Sequence, residues 1–442
     1  MAVAKDGVII WEEGFGWSDK ENRIQADEHT LYSLASITKP ITATGLMILK
    51  ERGKLDLDKP VNDYLGETKL KAWVGDQKNA TVRRVANHSS GLPLHCHFFY
   101  EDEPYSLPPF EETLRRYGNI VAVPGERYRY SNIGYGILDY VISRIADKSY
   151  PDFIREEVFV PLGMANAYLN LGEESGGRHA LRYGVDGKPI PFYDFDHRGA
   201  SSVYSSAHEL IRFGMFHLKN HLHDQKAILT DENIDDMQRP TMKINDNTSY
   251  GIGWEVSKQA SYTIVSHDGA MGGVATQLIL VPSENLAIVV LCNSRQYAFT
   301  CLIVKEILSV MLPDYRDEKV INEEPGVFKP SSELVGKWTG QVHTVNGVAP
   351  LNLWIEDSGY MEVKLGDQLT APLDNTRIHD GYLKGRFTSD IGTEDSNRLP
   401  YNLYIELKPR NKVLSGSIVS ITVQGKRPGN ALSYWAELRK DN

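Results

Sequence analysis

Near residue 313 the chain changes character, and this feature constrains its architecture most. Up to Leu312 strand-like and helix-like patterns follow one another. Beyond a stretch rich in Pro, Glu and Asp, roughly 313–331, only strand-like runs remain. A chain of 442 residues accommodates two or three domains at roughly 100–200 residues each. The composition break predicts residues 1–312 as one domain, 313–331 as a linker and 332–442 as a second domain.

In the first part, Val3 and Val8–Ile10 around Lys5-Asp6-Gly7 predict a hairpin whose second strand runs through Trp17. Helical spacing of apolar residues predicts helices over Thr38–Arg52, Tyr135–Asp147, Tyr150–Val158 and Ala207–Leu218. Strand signals return over Tyr250–Val256, Tyr262–Ser266, Gly273–Val281 and Leu286–Asn293, before a helix over Ala298–Met311. This segregated order predicts an α+β domain. Its antiparallel sheet draws strands from both ends of the segment and carries a helical insertion. After Leu334, seven strand-like runs separated by turns predict a small antiparallel barrel or sandwich.

Composition removes several classes of function. With 48 basic and 58 acidic residues, the net charge of -10 leaves no basic footprint for nucleic acid. No segment reaches the ~20 apolar residues of a membrane span, and the N-terminus lacks a signal-peptide pattern. A cytoplasmic protein with no membrane partner is therefore expected. Cys96, Cys292 and Cys301 do not form a disulfide framework, and Cys292 and Cys301 read as small apolar residues in the interior. His95-Cys96-His97 has no second Cys/His pair at ligand spacing, so no metal and no cofactor are expected.

Three short motifs carry chemistry. Ser36 and Lys39, at i and i+3, lie one turn apart on one helical face. A serine needs an adjacent base, and a lysine serves only when desolvation or positive potential lowers its pKa. Tyr130-Ser131-Asn132 offers a tyrosine for proton transfer and an amide that could meet a substrate carbonyl or accept from Lys39. His267-Asp268-Gly269-Ala270 ends a strand, where glycine permits close approach of a substrate backbone. A backbone N–H just beyond that glycine could complete an oxyanion hole with that of Ser36.

In this order and context the motifs resemble the serine β-lactamase and penicillin-binding-protein superfamily, above all its class C-like branch of esterases and D-aminopeptidases. Flanking segments such as NHSSGLP, PGERYRYSNIGYGILDYVI and YGIGW share the likeness over residues 1–312. The resemblance implies Ser36 as the acyl-enzyme nucleophile, Lys39 as its base and Tyr130 as the proton relay. It implies Asn132 on the substrate carbonyl, and Ser36 and Ala270 N–H groups as the oxyanion hole. His267 with Gly269 stands where β-lactamases carry a lysine. The family's N-terminal helix is missing or trimmed before Ala2. The region opening with Leu334-Val335-Gly336-Lys337-Trp338 resembles a lipocalin-like barrel, read here as a filled barrel shaping the active-site entrance or an oligomer contact.

The expected function is a serine hydrolase of small esters or amides. A D-amino-acid-specific peptidase and an acyltransferase are alternatives, and a silent binder of acyl ligands is the reading from another class. The expected partners are a small ester, amide or short peptide, with a homo-oligomer also compatible. Phe98, Phe99, Tyr100 and Tyr105 are expected to line an aromatic cleft.

Overall fold

The computed structural model describes all residues except 170–178, 317–327, 424, 426, 428 and 442. Most of the expected linker therefore lies outside the described residues. The first part builds an eight-stranded antiparallel sheet. Strands Met242–Lys243, Thr248–Tyr250, Glu255–Gln259, Tyr262–Met271, Val274–Val281 and Leu286–Cys292 follow in order, and the Ala2–Lys5/Val8–Glu12 hairpin completes the edge. The hairpin stops at Glu12, and Trp17–Asp19 pairs instead with Ile24–Gln25.

The sheet is covered on both faces. Leu278 and Leu280 point into the main core with the Ala207–His217 helix, while Ile279 and Val281 pack with Val304 and Leu308 of the Tyr297–Met311 helix. All eight residues of Val274–Val281 are buried, and its second half, Leu278–Val281, is apolar without alternation because helices cover both faces. The helical insertion is centred on Thr38–Glu51 and Asn132–Ala146, which pack against each other.

The second part is a nine-stranded antiparallel sheet whose two edge strands are Ala371–Pro372 and Asp374–His379. A single residue, Leu373, separates those edges in sequence, so the sheet curls into a nearly closed barrel. Trp338, Leu353, Val363, Phe387, Leu403, Ile418 and Leu438 fill its interior. The barrel docks on the first part: Cys96 and Ala431 exchange backbone hydrogen bonds of 3.0 and 2.8 Å, and Trp73 stacks on Trp435. Among the described residues no helix is long and apolar enough to cross a membrane.

Candidate active site

The Thr38–Glu51 helix is entered through a short 3-10 turn, Ala35–Ile37. Ala35 is held at φ +48, an uncommon conformation for a residue with a side chain, and it presents Ser36 at the turn. The i, i+3 spacing is realised in space: Lys39 Nζ lies 3.0 Å from Ser36 Oγ. The same amine contacts Asn132 Oδ1 at 2.9 Å and the Ala200 carbonyl at 3.1 Å. A neutral amine has two N–H groups and one lone pair. Two hydrogens directed to Asn132 and Ala200 leave the lone pair for the Ser36 hydroxyl.

Lys39 is fully buried, and burial lowers its pKa from 10.5 to about 7, against the opposing pull of Cys96 and Asp268. Tyr130 behaves in the opposite way. Its hydroxyl donates to Ser36 Oγ at 2.8 Å, while burial holds its pKa well above the ordinary 10. Lys39 is thus the group that loses a proton near neutrality, and Tyr130 keeps its own. Desolvation outweighs the lowering contact with Ser36.

Ser131 caps the Asn132–Ala146 helix by accepting from the Gly134 N–H, which sets Tyr130 and Asn132 on either side of the cap. Asn132 Oδ1 accepts from Lys39, as the sequence allows, but its amide nitrogen donates to the His95 carbonyl at 3.0 Å and to Cys96 Sγ at 3.2 Å. Asn132 is therefore built to orient Lys39, and its donors are engaged away from any substrate carbonyl. The Cys96 thiol is pushed up to about 11 by burial and stays protonated.

The third motif lies within a strand, not after one. Tyr262–Met271 runs through His267, Asp268, Gly269 and Ala270 and pairs with Val274–Val281. A Cβ on Gly269 would sit 2.3 Å from the Leu34 carbonyl oxygen, 2.3 Å from Thr276 Oγ1 and 3.0 Å from Ala35 Cβ. The glycine admits the nucleophile turn itself rather than a substrate backbone. That approach lays the exposed Ala270 edge beside the Ser36 turn.

His267 does not reach the cleft. It is 2% exposed; its Nδ1 donates to the Asp268 carbonyl at 2.7 Å and its Nε2 accepts from the Tyr250 hydroxyl at 2.8 Å. Burial lowers its pKa to about 4, so it is neutral, and it supports the site from beneath. Sequence reasoning gave no role to His88. Its Nδ1 accepts from the Ser131 N–H, and its ring lies 4.5 Å from that of Tyr130. The NHSSGLP segment contained it, but no chemical signal marked it out.

Phe98, Phe99 and Tyr100 are buried, and Phe98–Tyr100 pairs with Tyr193–Phe195. Tyr105 lies under the Arg398 guanidinium. Phe98, Phe99 and Tyr100 pack the interior and Tyr105 is half-buried, correcting the expected cleft lining. Cys292 and Cys301 are half-buried rather than sealed.

The barrel forms one wall of a cavity beside Tyr130. This cavity of about 590 Å³ runs between Tyr130 and Leu94 on one side and Arg377, Arg386, Tyr404 and Ile421 of the barrel on the other. Arg127 and Arg129, alternating with Tyr128 and Tyr130, clamp this segment to Glu406 of the barrel. Their charge, with that of Lys384, holds the Glu406 carboxyl down at about 2.

The Beta-lactamase family profile matches residues 1–302. Unguisins hydrolase ungD' of Aspergillus campestris is 27% identical over 327 residues, covering 69% of this chain and 60% of that protein. The chain thus spans under two thirds of that relative's length. The octameric penicillin-binding protein homologue from Pyrococcus abyssi is similar at TM-score 0.58 and 21% identity, covering 99% of this chain and 95% of its own. The structure of SurE with D-Leu is similar at TM-score 0.64 and 18% identity, covering 98% and 94%. Both structures share the fold, including the region of the barrel. With the profile spanning more than half of the sequence, the chain belongs to the β-lactamase family, whose serine β-lactamases and penicillin-binding proteins share its fold.

Proposed function

We propose that the protein is a serine hydrolase that cleaves small esters or amides through an acyl-enzyme on Ser36. One observation carries this reading: Ser36 Oγ sits between a lysine amine at 3.0 Å and a tyrosine hydroxyl at 2.8 Å. Neutral Lys39 takes the Ser36 proton as Oγ attacks the substrate carbonyl. The Ser36 and Ala270 N–H groups receive the developing oxyanion. The proton passes from Lys39 through Tyr130 to the leaving alcohol or amine, and the acyl group remains on Oγ. A water then repeats the attack, with its proton returned through the same pair, and the carboxylic acid leaves. Asn132 holds Lys39 in register, and His267 and His88 hold the surrounding tyrosines.

The cavity of about 590 Å³ beside Tyr130 suits a small leaving group or a short peptide. Peptides carrying D-residues form a second reading. It draws on the D-amino acid named in the structure of SurE with D-Leu and on the hydrolase activity named for the unguisins relative. Acyl transfer uses the same intermediate with another nucleophile. One purified sample tested on p-nitrophenyl esters, D- and L-amino-acid p-nitroanilides and nitrocefin separates these readings. Turnover of esters or D-anilides above nitrocefin supports the proposal, and nitrocefin as the best substrate makes the enzyme a β-lactamase.

A further inference from the structure

The Asn132 amide leads from the serine to the His95 carbonyl, and the His95 ring belongs to a second cluster. The strand pairing sets Phe98 opposite Phe195, which brings the segments 95–97 and 196–197 together. His95 Nε2 lies 2.9 and 3.0 Å from the two Asp196 oxygens, and His197 Nδ1 lies 3.0 Å from Asp196 Oδ1. His97 Nδ1 lies 3.5 Å from Asp196 Oδ2. All four side chains are at most 2% exposed.

We infer that His95, His97, Asp196 and His197 form a structural zinc site. The donor atoms of His95, Asp196 and His197 all lie within 4.8 Å of one another. Tetrahedral zinc with nitrogen and oxygen bonds of about 2.0–2.2 Å separates its ligands by roughly 3.3 Å. The histidine-to-Asp196 spacings of 2.9–3.5 Å bracket that value, and the His95 and His197 donors lie within 4.8 Å of each other. Imidazole with carboxylate, and no thiolate in the set, is a donor combination that zinc accepts well.

Two further observations point to a cation. Neither ring nitrogen of His97 has a hydrogen-bond partner, although the ring is buried. Such a group is costly unless it finds a partner, and ligation supplies one. The ion-pair partners of Asp196 among the described residues are all histidines, so no Lys or Arg balances this sealed carboxylate. A divalent ion supplies that charge. Thr113 Oγ1 donates to Asp196 Oδ2 at 2.9 Å and fixes the carboxylate from outside the shell. His95, Asp196 and His197 form the core of the site and His97, 3.5 Å from Asp196, stands ready as its fourth ligand; all are sealed from solvent, and the site joins the two segments behind Asn132. His97 Nε2, 3.7 Å from Asp395, extends the connection to the barrel.

The test uses the untagged full chain, purified without chelator from zinc-supplemented cells, with metal content measured by mass spectrometry after gel filtration. The inference requires one zinc per chain and intense visible bands of tetrahedral cobalt in the Co²⁺-exchanged protein. His97→Ala and His197→Ala should lose the metal, whereas His208→Ala, whose ring pairs with Glu12 and not with the cluster, should keep it. A natively folded wild type holding only background metal, with no cobalt spectrum, overturns the inference even when the variants fail to fold. Zinc retained at full occupancy in the folded double variant His97→Ala/His197→Ala overturns it as well. Metal content is read without turnover, so this outcome is independent of the hydrolytic reading.

Discussion

Changing Asn132 to Asp tests the electrostatics of the site. The substitution replaces an amide oxygen 2.9 Å from Lys39 Nζ with a carboxylate of nearly the same shape. In the native site, burial lowers the lysine from 10.5 to about 7, which corresponds to about 5 kcal/mol against the charged form. Half of the amine is then neutral at pH 7, whereas an ordinary lysine would be neutral in roughly one molecule in 3,000. An opposite charge within hydrogen-bond reach raises a pKa by about 1–3 units. Asn132→Asp should therefore move the lysine toward about 8–10 and cut activity at pH 7 by roughly 5- to 500-fold. The loss should be recovered as pH rises.

The assay is kcat/KM from pH 5 to 10 on an anilide, whose background hydrolysis stays low. The native enzyme should lose activity tenfold per pH unit below its lysine pKa and be flat above it, until another group titrates. The groups facing Lys39 bear on the assignment. His88 and His267 are held down by burial, and Asp268 and the Cys96 thiol act in the raising direction. Glu255, pushed up to about 7 by burial and by Asp268, titrates in the same range. Glu255→Gln should leave the acid limb in place. If Asn132→Asp lowers activity with the limb unmoved, or if the native profile is flat down to pH 5, Lys39 is not the base.

Tyr130→Phe should lower kcat by about 10²–10⁴ while leaving binding of substrate analogues close to native, as measured by isothermal titration. Gly269→Ala places a Cβ against the Leu34 carbonyl and should lower kcat by ~10² or more through a displaced oxyanion edge, with circular dichroism unchanged. Glu406→Ala strips the buried Arg129 of its partner and should cost ~3–5 kcal/mol in denaturant unfolding, with lower kcat because the Tyr130 segment is released. The Glu406 carboxyl is depressed to about 2, so its stabilisation is complete above its ordinary 4.5 and is lost as pH falls from 4.5 toward 2. The variant's stability should accordingly converge on the native value at the acid end.

The contacts of the candidate residues Ser36, Lys39 and Tyr130 were legible because they are local: Ser36 and Lys39 share one turn, and Ser131 caps the helix beside Tyr130 and Asn132. The antiparallel strands of the second part were readable from short runs between turns as a barrel or sandwich, and the lipocalin-like resemblance favoured the barrel. Its closing strand Asp374–His379 was missed because its residues are polar and exposed outside the interior period. The strand expected to end at Ser266 continues through Gly269, where glycine marks packing against Leu34 rather than a turn. The strand expected over Tyr250–Val256 is broken because Gly253, at φ +81, folds back onto Pro40 and Ala43. The roles of His267 and Phe98–Tyr100 depend on which side chains the fold seals, which local pattern does not encode. The linker reading also understates how far Arg127, Arg129, Asp395 and Ala431 join the two parts. His95 and His97 meet Asp196 and His197 only through strand pairing across about a hundred residues of sequence.

The central claim is a covalent intermediate on Ser36, and intact-protein mass spectrometry tests it most directly. The native protein and Ser36→Ala are each treated with a fluorophosphonate and with a slowly deacylating ester, then digested to locate the adduct. One adduct per native chain, mapped to Ser36 and absent from a folded, inactive Ser36→Ala, is the predicted result. An adduct on another residue, or full turnover by Ser36→Ala, would contradict the account.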